Sequence, residues 1–102
     1  FTLYPPCDAA CLYEADFPVH AYNAQLQLES RGTSVPWLQV DPDKPNYEAF
    51  PLLAHAQPMT VLVEAGDLLY LPALYFHHVK QREDRHGLCI AVNYWYDMAF
   101  ND

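Results

Sequence analysis

Glycine is scarce in this chain: Gly32, Gly66 and Gly87 are the only three among 102 residues. A glycine-rich phosphate cradle is therefore excluded. There is also no P-loop, no G-x-S-x-G nucleophile turn and no H-E-x-x-H zinc helix. Basic residues are equally few, five Lys plus Arg against thirteen Asp plus Glu, for a formal net charge of −8. Three of the five, Lys80, Arg82 and Arg85, share one short loop. Binding to a phosphate backbone needs a clustered basic surface, so nucleic acid is disfavoured as a partner and a basic peptide suits the charge balance better. Apolar runs extend only a few residues, far short of a bilayer span, and no signal-peptide pattern opens the chain. Cysteine is sparse and odd in number: Cys7, Cys11 and Cys89. That usage points to free thiols in a reducing compartment, hence a cytoplasmic or nuclear location. Cys7 and Cys11 alone make half of a zinc site, with no second Cys or His pair at matching spacing.

What is present is apolar and aromatic. Hydrophobic residues reach 52% and aromatics 15%, too rich for a disordered segment, and the length suits one modest domain. The chain opens on Phe1 rather than Met and stops just after an aromatic-rich run, which reads as a piece of a longer protein.

The pattern is of strands, turns and prolines. "FTLY" is a short strand closed by Pro5-Pro6. "AYNAQLQLES" alternates, with Tyr22, Ala24, Leu26 and Leu28 on one face, and predicts a half-exposed strand followed by a turn at "SRGT". "PWLQVDPDKP" reads as an extended segment entering a loop. "KPNYEAFPLLAHA" is the one helical candidate, opened by Pro45 and limited by Pro51 to a turn or two. "MTVLVEAGDLLYLP" predicts two short strands reversing at Gly66-Asp67, "LYFHHVK" a further strand, and "QREDRHG" a charged loop. "LCIAVNYWYD" predicts a long closing strand with two unequal faces. Leu88, Ile90, Val92, Tyr94 and Tyr96 are bulky, while Cys89, Ala91, Asn93 and Trp95 leave room. That roomier face suits a barrel interior holding a small ligand, although Asn93 serves equally well to satisfy a local backbone group. The count is about six strands in an all-β fold with one short helix.

Two adjacent histidines interrupt the run "LYLPALYFHHVK". Side chains alternate along a strand, so His77 and His78 face opposite ways and do not share one ligand. On the residues alone, an isolated strand histidine is more often a hydrogen-bonded core residue than a metal ligand. His20, His55 and His86 fall in loop or helix-end contexts and receive no role.

The spacing from Gly66 to His77, G-D-L-L-Y-L-P-A-L-Y-F-H, resembles the distal-histidine motif of cupin-type barrels. In that motif a Gly, five residues and a Pro precede a His five positions further on, which selects His77 and not His78. "FTLYPP", "NYEAFP", "AGDLLYLPALYFHHV" and "IAVNYWYD" follow in the order found in JmjC-type protein hydroxylases. Among these they are most similar to the small cytosolic JmjC lysyl hydroxylases that act on translation-factor-like GTPases.

The resemblance implies part of a double-stranded β-helix, a cupin-like jelly roll. It further implies an Fe(II)- and 2-oxoglutarate-dependent dioxygenase that uses O₂ to hydroxylate a protein side chain, lysyl by the nearest likeness. Residue by residue, it implies that His77 is the distal metal ligand, that Asn93 lies near the 2-oxoglutarate and metal, and that Trp95 lines the substrate pocket. It implies a protein or peptide substrate, a GTPase being one candidate, and a homodimer as one candidate assembly of the full-length protein. The family's His-x-Asp pair does not occur in this chain and falls upstream of Phe1, as does the lysine that pairs with 2-oxoglutarate. Residues 1–102 are thus expected to form the C-terminal portion of a single JmjC catalytic domain, inactive alone. A metal-coordinating His77 needs an acceptor on its other ring nitrogen to fix the ring. A non-enzymatic cupin-like module that binds a small molecule, and a tRNA-base hydroxylase of the same fold, are the competing functions.

Overall fold

The computed structural model describes residues 1–99. They form five strands in two antiparallel sheets, with two 3₁₀ helices and no α-helix among the described residues. Strand β1 (Thr2–Tyr4) runs as expected and stops at Pro5, which turns the chain into the first 3₁₀ helix, Pro6–Cys11. Strands β2 (Glu14–Tyr22) and β3 (Leu28–Leu38) pair as a long hairpin. A second 3₁₀ helix (Pro51–His55) precedes β4 (Met59–Thr60), and β5 (Phe76–His78) carries both central histidines.

The first sheet has the order β4-β1-β5, antiparallel throughout. Thr2 pairs with Thr60 and His78, Leu3 with Met59 and His77, and Tyr4 with Phe76. Residues paired across strands share a face, so alternation sorts the sheet cleanly. Tyr4 and Phe76 belong to the core, packed with Leu12, Leu53 and Phe50. His78 therefore stands on the covered face and His77 on the opposite one, beside Leu3 and Met59. Asp8, buried in the first 3₁₀ helix, accepts a hydrogen bond from the Gln57 amide at 2.8 Å and ties that helix to the segment just after the second one. A buried carboxylate without such a donor would be costly.

The structure corrects several expectations. The segment expected to be a strand at residues 22–29 contains the hairpin reversal instead. Asn23 and Gln27 close it through their backbones at 2.9 Å, and the Asn23 side chain accepts from the Gln25 and Gln27 amides. An Asx side chain that satisfies two loop amides outweighs the apolar alternation, and Leu26 takes φ +59 to make the turn. "SRGT" is then a bulge inside β3, because Pro18 faces Ser34 while His20 faces Ser30. Gly32, at φ +69, supplies the backbone freedom that this kink requires. His20 consequently lies within β2 rather than in a loop. The helical turn begins at Pro51 instead of ending there, since a proline at the first position forfeits no helical hydrogen bond.

Two further expected strands form no ladder. After the Gly66 turn, residues 68–72 pair with nothing among the described residues, and neither do residues 88–97. A strand exists only through its neighbours. Here the described residues offer none, and Tyr94, Trp95 and Tyr96 are 82%, 86% and 92% exposed. Five strands thus replace the six expected. The mainly β, antiparallel architecture stands, in keeping with part of a cupin-like jelly roll.

Candidate functional site

A cleft of about 370 Å³ is lined by Phe76, His77 and His78 of β5, by Trp37, Leu38, Val40 and Pro42 at and beyond the end of β3, and by Tyr4 and Leu12 of the core. Because β5 closes the sheet on that side, residues of both its faces reach the cleft. The sequence places His77 here for a simple reason. Pro72 and the Pro72–Tyr75 turn end the preceding segment, so that β5 begins at Phe76 and the second of its three residues points away from the core.

The His77 ring is oriented by its own strand. Its Nδ1 lies 3.3 Å from the Tyr75 carbonyl oxygen, which can only accept, so Nδ1 is the donor and, in the neutral ring, Nε2 is the nitrogen left to coordinate. A neutral imidazole so fixed is the form that coordinates a metal. The required acceptor is therefore a backbone carbonyl two residues away, which no side-chain pattern advertises.

His78 is engaged differently. Its Nε2 lies 3.1 Å from Asp43 Oδ2, while Lys80 Nζ donates to Asp43 Oδ1 at 2.8 Å. One carboxylate thus joins the last residue of β5 to a lysine two residues beyond it. The Lys80 hydrogen bond, with a lesser one from His78, holds the Asp43 carboxyl below its ordinary value of 3.8, against an opposing effect of desolvation. Asp43 was not legible as a site residue in the sequence, where "DPDKP" reads only as a connector and its partners lie 35 or more positions away.

The described residues contain no group of three His, Cys, Asp or Glu side chains that could hold a metal. One oriented imidazole is compatible with Fe(II) but is no binding site for it, since the facial arrangement needs two more ligands. Asn93 and Trp95 lie outside the cleft lining: both are exposed, and no hydrogen bond engages Asn93 among the described residues. The structure does not bring them together with His77. Cys7, Cys11 and Cys89 are free thiols.

The profile of the cupin-like domain matches residues 1–102, the entire chain. Curated relatives align over nearly all of it. JmjC domain-containing protein E of Dictyostelium discoideum is 37% identical over 98% of this chain and 34% of its own length. The bifunctional peptidase and (3S)-lysyl hydroxylase of Homo sapiens is 39% identical over 99% and 33%. A lysine-specific demethylase of Arabidopsis thaliana is 41% identical over 99% and 33%. The chain spans about a third of the length of these relatives. It belongs to the cupin-like domain family, as a domain of the JmjC type.

Proposed function

We propose that residues 1–102 are the C-terminal portion of a single JmjC catalytic domain, and that the complete protein is an Fe(II)- and 2-oxoglutarate-dependent dioxygenase hydroxylating a protein side chain. The observation that carries this reading is the state of His77: on the sheet face away from the core, at a cleft wall, with Nδ1 held by the Tyr75 carbonyl and Nε2 free. His77 supplies one metal ligand, and the remaining ligands come from outside this chain. Asn93 is the candidate contact to 2-oxoglutarate and Trp95 the candidate wall of the substrate pocket, once residues 88–97 are paired into the sheet. The metal and 2-oxoglutarate supply the oxidising chemistry when bound, and the protein orients the target and excludes side reactions. A lysyl side chain is the favoured target. The human relative's name specifies lysyl hydroxylation, and a net charge of −8 suits a cationic peptide.

The test uses the complete protein with Fe(II), 2-oxoglutarate and a lysine-containing peptide, following succinate release and the gain of one oxygen atom in the peptide. His77→Ala is expected to lower turnover by more than about 100-fold, beyond the range for an outer partner of a metal ligand. His78→Ala is expected to retain most of it. Intact turnover in His77→Ala would remove His77 as a ligand, succinate release without oxidation of any peptide would remove the protein-hydroxylase reading, and no succinate at all would favour a binding module.

A further inference from the structure

We propose that Asp43 is a positioning residue for the metal ligand: its carboxylate clasps His78 and Lys80 and thereby sets how strand β5 presents His77. The proposal rests on the reading of His77 as a ligand. Three observations support it. First, the clasp is two-pronged, with Oδ2 on His78, the last residue of β5, and Oδ1 on Lys80 two residues beyond it, so it holds both the end of the strand and the segment leaving it. Secondly, β5 is only three residues long and lies at the sheet edge, paired solely with β1, so ladder hydrogen bonds alone hold it weakly. Thirdly, the loop bearing Asp43 is itself ordered. The Asp41 side chain accepts from the Asp43 amide at 2.9 Å, and the Lys44 amide reaches the Asp41 carbonyl at 3.3 Å. Pro42, between Asp41 and Asp43, forms part of the cleft lining.

The clasp therefore joins β5 to the loop whose Pro42 also lines the cleft. It grips the residue after His77 on the covered face, and alternation turns that grip into a fixed direction for His77 on the open one. No other charged side chain bonds to β5 among the described residues.

The experiment compares wild-type complete protein with Asp43→Ala, Asp43→Asn and His77→Ala. It measures Fe(II) affinity by titration in the presence of 2-oxoglutarate, kcat and KM for the peptide, and the thermal midpoint without metal. Asp43→Ala is expected to weaken Fe(II) affinity about tenfold, the low end for removing an outer partner at a metal site. Peptide KM should stay unchanged while kcat falls. Asp43→Asn should recover part of the loss, because its amide oxygen still accepts from Lys80 or His78. Unchanged Fe(II) affinity in Asp43→Ala, with His77→Ala abolishing it, would overturn the positioning role and leave the ligand reading standing. A tenfold loss that Asp43→Asn does not relieve, or that tracks a fall in metal-free thermal midpoint, would also overturn it as a mere stability effect. Equal Fe(II) affinity in wild type and His77→Ala would overturn both.

Discussion

At the scale of single residues, neighbouring side chains of identical type acquire different chemistry from their faces. His77 is held by a carbonyl and keeps a free lone pair, whereas His78 spends its ring on a carboxylate. The Asp43 clasp also has a signature in pH. Its carboxyl titrates below 3.8 when folded, chiefly through the Lys80 hydrogen bond, so the folded state binds fewer protons there than the unfolded chain. Stability from the clasp is then fully present above about pH 4 and is lost as pH falls through the folded value. Thermal midpoints of the complete protein and of Asp43→Asn are expected to differ at neutral pH and to converge in acid. Added salt should narrow the gap, because both partners are reached by solvent. A gap that persists unchanged into acid would show that the carboxylate charge is irrelevant.

At the scale of elements, the structure rests on positions where backbone angles outrank side-chain pattern. The Gly66 turn was legible because glycine is rare in this sequence and Asp67 follows it. The structure closes this turn with the Asp67 amide on the Glu64 carbonyl and the Glu64 amide on the Asp67 carboxylate. Gly66 sits at φ +93 with nothing within 4 Å of where a Cβ would stand. Gly66→Ala therefore meets no clash but must hold a positive φ that an L side chain disfavours, an expected destabilisation of about 1–2 kcal/mol by chemical denaturation of the complete protein. Asn should cost less than Ala there, and a loss beyond about 4 kcal/mol would mean the turn is also a packing site. The Asn23 reversal was not legible. Its signal is a side chain bonding two amides inside a run that alternates by coincidence, with a leucine in a conformation leucine rarely adopts. Likewise, proline marks an element boundary in sequence without saying which side the element lies on, and at Pro51 the helix follows rather than precedes it.

At the scale of the molecule, apolar surface outweighs what is covered. Among the described residues the buried apolar side chains are Leu3 on one sheet face and Tyr4, Leu12 and Leu53 in the core, while Ile90, Val92, Tyr94, Trp95 and Tyr96 are each more than 70% exposed. The Cα radius of gyration, 16.8 Å, exceeds the roughly 13 Å of a compact domain of about 100 residues. Closing a small barrel takes about eight strands, and five are formed here. This is why the class of fold was legible while the pairing of the closing strand was not. Alternation in residues 88–97 declares two faces, but a ladder also requires a neighbour. Residues 1–102 alone are expected to self-associate and to unfold without a sharp transition, as read by sedimentation and by circular dichroism during urea titration. A monomeric, cooperative transition would contradict this.

The two sheets also differ in how far along the chain their pairings reach. The hairpin joins β2 to β3 through a loop of a few residues, whereas β1 meets the β4 segment with Phe1 bonded to Val61, 60 residues away, and β5 from farther still. Loop-closure entropy delays distant pairings, so the hairpin should form early and β5 should dock late. The histidine that would hold metal is thus delivered near the end of folding, after the cleft wall formed by Trp37 and Leu38 is in place. On the proposed reading, iron would then stabilise the finished site rather than guide its assembly. In pulsed hydrogen exchange on the refolding complete protein, amides of β2 and β3 should gain protection before those of β1 and β5, with or without Fe(II) present.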